Sequence, residues 1–141
     1  MHPSVTIDDI IVVIVDDDHD IRFSLTKFLC GRGATVFPCS NAREALEAVR
    51  VHHPNIVLSD IGLPNRDGFQ LLEDIRSLDV QQDRDVPIIA MTGFGFSGDR
   101  AQKLENAFEA HLNKPFKPDQ LLSAVVSTLD NQHSKTRGMQ R

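Results

Sequence analysis

The chain has 141 residues, 40% of them hydrophobic and 25% charged, with a formal net charge of −5; these are ordinary proportions for a domain that buries its own core without disulfide or metal staples. The acid excess, with no basic stripe in the body of the sequence, argues against nucleic acid as the main partner. The longest apolar run, residues 10–15, is far short of a membrane span, and residues 1–9 carry no basic leader, so a cytoplasmic protein is expected. Cys30 and Cys39 match no zinc spacing and read as buried, reduced thiols.

Residues 10–15 form a continuous aliphatic run, the pattern of a strand covered on both faces, and lead directly into Asp16, Asp17, Asp18 and Asp20. Ile21, Leu25, Phe28 and Leu29 then recur with helical spacing until Gly31 and Gly33 end the helix. "ATVF" (34–37) reads as a short strand. "NAREALEAVR" is a helix with Asn41 as N-cap and Glu44 at its third position, and Pro54 closes the loop behind it. "NIVLSD" (55–60) is a third strand ending in an aspartate, followed by the turn "IGLPNRDG" and a helix that turns Phe69, Leu72 and Ile75 inward. The polar "DVQQDRD" reads as a loop before a fourth strand, "VPIIAMT" (86–92). The glycine-rich "GFGFSG" is expected to be mobile, residues 101–108 form a weaker helix, and "AHLNKPF" contains a fifth strand. Pro118 opens a last helix with Leu121, Leu122, Val125, Val126 and Leu129 on one side.

Strands and helices thus alternate five times, which predicts an α/β fold: a (βα)5 doubly wound parallel sheet with helices on both faces. Residues 9–130 form the domain, after an N-terminal extension (1–8) and before a polar stretch (131–141) whose Lys135, Arg137 and Arg141 mark it as a solvated, disordered basic tail.

In an open α/β sheet the ligand crevice lies beyond the carboxyl ends of the strands. There this sequence places Asp16 and Asp17 after the first strand, Asp60 at the end of the third, Thr92 at the end of the fourth and Lys114 after the fifth. Two carboxylates about 4 Å apart repel by roughly 4 kcal/mol at an effective dielectric near 20. A hard divalent cation, Mg²⁺ (or Mn²⁺), would convert that repulsion into attraction; Mg²⁺ keeps several waters and typically takes one or two carboxylates plus a phosphate oxygen. Asp18 reads as solvent-facing or as a helix cap, and Asp20 as a favourable charge near a helix N-terminus. The histidines at 2, 52, 53 and 133 read as exposed loop or tail residues.

"VDDD", "LSDIGLPNRDG", "MTG" and "NKPF", in this order and each at a strand end, resemble the receiver domain of two-component response regulators over residues 8–130. The resemblance implies a flavodoxin-like sheet with strand order 2-1-3-4-5. It makes Asp60 the phosphoacceptor, with Asp17, Asp60 and the Gly62 carbonyl as metal ligands and Asp16 acting through bound water. Lys114 would pair with one phosphoryl oxygen and Thr92 would donate its hydroxyl to another, helped by the backbone N–H groups of Ile61 and Gly93. The Lys114–Pro115 bond would be cis, aiming Lys114 into the site. Gly62 and Phe94 occupy the two positions that tune hydrolysis in the family; a glycine and a phenylalanine there suggest a long-lived phosphoryl state. Thr92 and His111 would form the switch, His111 standing where the family has Tyr or Phe, and would alter the face formed by the fourth helix, fifth strand and fifth helix.

The partners so implied are a sensor histidine kinase or histidine phosphotransfer protein and a downstream protein target, with no direct DNA binding and no membrane. A tail too short for an output domain points to a stand-alone regulator, a phosphorelay shuttle or a receiver cut from a hybrid kinase. The alternative is a receiver that binds partners independently of phosphorylation. Two other readings fail on sequence: no D-x-D-x-[TV] string of the haloacid dehalogenase kind is present, and a calcium loop starting at Asp16 would have Ile21 where glycine is required and Lys27 in place of glutamate.

Overall fold

The aliphatic runs become five strands, β1 (Ile11–Val15), β2 (Thr35–Cys39), β3 (Ile56–Asp60), β4 (Ile88–Thr92) and β5 (Ala110–Asn113), in a computed structural model that describes residues 7–93 and 98–139, as backbone alone beyond residue 132. All neighbouring strands are parallel, as the alternation required, and the order is β2-β1-β3-β4-β5, as the resemblance implied. The connections hold α1 (His19–Gly31), α2 (Ala42–His52), α3 (Gly68–Arg76), α4 (Gln81–Arg84) and α5 (Asp99–Ala107), and α6 (Pro118–Met139) follows β5.

Side chains alternate across each strand, so the sheet builds two cores. Val13, Val15, Val57, Ile88 and Ala90 pack with Val49, Leu72 and Ile75 of α2 and α3 on one face. Val12, Ile14, Leu58, Ile89 and Met91 pack with Leu25 and Leu29 of α1 and Leu121 and Val125 of α6 on the other. Every residue of β3 and β4 is buried, which explains their apolar runs Ile56–Leu58 and Ile88–Met91 ahead of the polar strand ends, whereas the edge strands β2 and β5 are mixed.

The caps follow the sequence closely. Asp18 is the N-cap of α1 and accepts from the N–H groups of Asp20 and Ile21 at 2.9 and 3.1 Å. Asn41 caps α2 through the Glu44 N–H, and Glu44 returns to the N–H of Ser40, one residue before the cap. Asp67 and Gln70 complete a reciprocal capping box that starts α3 just behind the Asp60 turn. Gly68 is required there: a Cβ would stand 2.7 Å from the Asp60 carbonyl oxygen.

Several expectations need correction. The stretch read as a plain polar loop contains α4, which lacks a side-chain cap but is pinned by its buried Asp83, whose carboxylate meets His53 Nδ1 at 2.8 Å. His53 is exposed, as expected, but paired, whereas His52 is half-buried and stacks on Phe37 with ring centroids 3.6 Å apart. The backbone of α6 is helical through residues 131–139, since extending a docked helix costs far less than nucleating one. Of the two thiols only Cys39 is buried, and burial pushes its pKa up to about 11; Cys30 is exposed, one step off the stripe led by Leu29. Phe94, His2 and most of "GFGFSG" lie outside the described residues, as do the side chains of His133, Lys135, Arg137 and Arg141.

Candidate functional site

β1 and β3 are adjacent, so Asp16 and Asp17, just beyond one, and Asp60, at the end of the other, meet at one sheet edge. One carboxylate oxygen from each lies within 4.8 Å of the other two. Asp16 is fully buried, Asp60 is nearly so and Asp17 is exposed, giving the cluster one open side. Lys114, projecting from beyond β5, donates from Nζ to Asp16 Oδ2 at 2.8 Å and approaches Asp60 Oδ2 at 3.4 Å. The Lys114–Pro115 bond is cis.

Three carboxylates therefore face one ammonium, and the electrostatics record the imbalance. Burial raises the pKa of Asp60; Lys114 pulls it down and the Asp16 charge pushes it further up, with a net rise. For Lys114, burial opposes the charged form, but its hydrogen bond to Asp16 and the Asp60 and Asp16 charges raise its pKa overall. Asp16 is held from three sides: Oδ1 accepts from the Asp18 N–H at 2.9 Å, Oδ2 takes Lys114, and its carbonyl accepts from Arg22 at 2.8 Å. These all-oxygen donors suit a hard divalent cation, and the surplus negative charge is what such an ion would neutralise.

The backbone donors differ from expectation. The Ile61 N–H is engaged by the Met91 carbonyl at 3.1 Å, an extension of the β3–β4 ladder, whereas the Gly62 N–H points at Asp60 Oδ1 at 3.2 Å. Gly62, expected as a carbonyl ligand, thus also presents its amide to the Asp60 carboxylate. Gly93 directly follows Thr92, and a Cβ at either glycine would meet nothing within 4 Å, so both leave space around Asp60 and Thr92. Thr92 is buried, and its hydroxyl donates to Asn113 Oδ1 at 2.9 Å. His111 is exposed; the β5 residue bonded to Thr92 is Asn113. Sequence reasoning missed Asn113 and Arg22. Asn113 was legible as a polar residue two positions beyond His111, on the same face of β5, but its register opposite Thr92 needs the sheet.

Beside the acids, Ile21 and Leu25 of α1, Gly93, Lys114, Pro115 and Phe116 line an open, largely apolar cavity of about 580 Å³. Between Ile21 and Leu25 on α1, Phe23 is 59% exposed. Among the described residues no helix is long and apolar enough to cross a membrane.

Comparison with known proteins agrees with this geometry. Residues 12–126 match the family model of the response regulator receiver domain. The chain is 34% identical over 126 residues to the response regulator Rre1 of Synechocystis sp., covering 89% of this chain and 54% of that protein. It is 34% identical over 118 residues to the probable transcriptional regulator ycf27 of Pyropia yezoensis, covering 84% of this chain and 46% of the relative. The chain thus spans about half the length of these curated relatives. Among solved structures, chemotaxis response regulator CheY4 of Vibrio cholerae matches with a TM-score of 0.76 and 26% identity, over 84% of this chain and 98% of that one. The receiver domain of sensor histidine kinase PA1611 of Pseudomonas aeruginosa, solved with a magnesium ion coordinated in its active-site cleft, matches with a TM-score of 0.77 and 26% identity, over 86% and 98% of the two chains. From the order of the motifs, the sheet topology and the family match together, this chain belongs to the receiver domains of two-component response regulators.

Proposed function

We propose that Asp60 accepts a phosphoryl group from the phosphohistidine of a sensor kinase or histidine phosphotransfer protein, and that the resulting aspartyl phosphate changes what the domain binds. The observation that carries this reading is the convergence of Asp60 with Asp16, Asp17 and Lys114 in one pocket that has more negative than positive charge. An Asp60 carboxylate oxygen attacks phosphorus, the P–N bond to the donor imidazole breaks, and the ring nitrogen leaves with the electron pair. Lys114 reaches one phosphoryl oxygen as a compact cation. Thr92 turns its hydroxyl to another, and the amides of Gly62 and Gly93 donate to the group as well. Asp17 and Asp60, with the Gly62 carbonyl, are the residues to hold Mg²⁺, and Asp16 supports them through water. When bound, that ion offsets the charge gathered on the transferring group.

The apolar cavity between α1 and the Pro115–Phe116 turn suits the helix that presents the donor histidine, next to Lys114. Phosphorylation adds about −2 charge, and the movement of Thr92 would be read on the face of α5, β5 and α6, where His111 is exposed. Gly62 and Phe94 would set how long the phosphoryl group survives. A cytoplasmic site of action follows from partners of this class. Because relatives twice this length include transcriptional regulators, the absence of direct DNA contact is proposed for this domain alone.

Incubation with acetyl phosphate and Mg²⁺, followed by intact-mass spectrometry, tests the reading. The native chain should gain one phosphoryl group, Asp60→Asn none, and Lys114→Ala should gain it far more slowly. A native chain that stays unmodified with both a small donor and a charged histidine donor would favour the phosphorylation-independent module.

A further inference from the structure

Thr92 ends β4 and Asn113 ends β5, and the two are register partners in the parallel sheet, so their side chains project from the same face. The Thr92 side chain is almost wholly buried, and its hydroxyl proton is directed at Asn113 Oδ1 at 2.9 Å. Directly behind them the Lys114 N–H donates to the Thr92 carbonyl at 2.6 Å, fixing the ends of the two strands together while the Lys114 side chain crosses to Asp16 and Asp60.

A threonine hydroxyl has one proton. It cannot be given to Asn113 and to a phosphoryl oxygen on Asp60 at the same time. Building on the phosphoacceptor reading above, we propose that Asn113 is a positioning residue that latches Thr92 in the unmodified domain and thereby sets how far phosphorylation proceeds for a given donor. The latch is weak enough to open. Asn113 is exposed, so its amide oxygen takes water when the hydroxyl turns away, and the competing phosphoryl oxygens are anionic acceptors, which bind a donor about twice as strongly as a neutral amide. The acidic residues and Lys114 govern the charge of the site, while Asn113 governs the availability of the Thr92 hydroxyl.

A double-mutant cycle reads this directly. At subsaturating acetyl phosphate with Mg²⁺, Asn113→Ala should raise the ratio of phosphorylated to free protein about fivefold, the factor contributed by one ordinary net hydrogen bond. In a Thr92→Val background the same substitution should change nothing, because no hydroxyl remains to be freed. An equal effect in both backgrounds would overturn the latch, since Asn113 would then act by another route. No effect in either background would overturn it as well. A parallel measurement needs no phosphorylation: NMR three-bond couplings at the Thr92 side chain should report one rotamer in the native chain and rotamer averaging in Asn113→Ala. If the native chain never takes phosphate, the phosphoacceptor reading fails, and the couplings alone decide the latch; unchanged couplings would sink it.

Discussion

The two edges of the sheet are built on opposite electrostatic plans. At the amino edge Asp83, Arg76 and Glu109 each have a charged partner, and side chains tie the starts of β1 and β4. Asn55 accepts the Ile11 N–H at 2.7 Å, and Asp83 pairs with His53. Arg76 donates to the carbonyls of Arg84 and Val86 at 2.9 and 2.6 Å and reaches Glu109, whose carboxylate in turn accepts the Ile88 N–H at 2.8 Å. At the carboxyl edge three carboxylates converge on one lysine, and the fold leaves the excess standing. One edge holds the sheet together; the other stores unfavourable charge that a cation and a phosphoryl group can use. The stability needed to carry an unbalanced site comes from the balanced edge and the two cores, which is why destabilising features at a functional site need not unfold a domain.

That contrast can be broken at its strong end first. Arg76→Ala removes three charge-assisted contacts and leaves two carbonyls and Glu109 to find new partners, so a loss of about 3 kcal/mol is expected in urea unfolding, with phosphoryl uptake per folded molecule unchanged. A loss well under 1 kcal/mol would mean the amino edge is held by its backbone alone.

Next in size is the response to metal. Mg²⁺ at a hundredfold excess over its Kd should stabilise the native state by about 2.7 kcal/mol in thermal melts, because it binds the assembled acids and not the unfolded chain. Asp17→Asn should forfeit most of that gain, and Arg76→Ala should keep it. Equal metal stabilisation in Asp17→Asn would place the ion elsewhere.

The smallest effect sharpens the comparison at the acidic edge. The folded-state pKa of Asp60 is raised, so ionising it costs the fold stability; that cost is absent below the unfolded value and fully present once the pH exceeds the folded one. Asp60→Asn, measured without metal, should therefore be more stable than the native chain at neutral pH, by on the order of 1 kcal/mol. The advantage should fade as the pH falls through the raised pKa. A neutral variant less stable at pH 7 would show that the Asp60–Lys114 attraction outweighs the burial of the charge.

The acids, Thr92 and Lys114 were legible because each follows an aliphatic strand, and a parallel sheet delivers strand ends to one crevice. Asp18 as a cap and the Asn41 start of α2 were legible for a local reason: a cap is a contact within three residues. α4 was not, since Gln81–Arg84 has little helical signal of its own and depends on Asp83 meeting His53, thirty residues away. The partnering of His52, His53 and Asn113 and the exposure of Cys30 escaped for the same reason.

Sequence alone determined the order of the elements, the doubly wound sheet and the set of residues gathered at its carboxyl edge, because periodicity and chain connectivity leave a βαβ chain few alternatives. Tertiary structure decided which donor faces which acceptor: that Met91 takes the Ile61 amide, that Gly62 turns its own toward Asp60, and that Thr92 rests on Asn113. Those choices depend on strand register and on distances of a few ångströms between residues remote in sequence, and no local pattern encodes them.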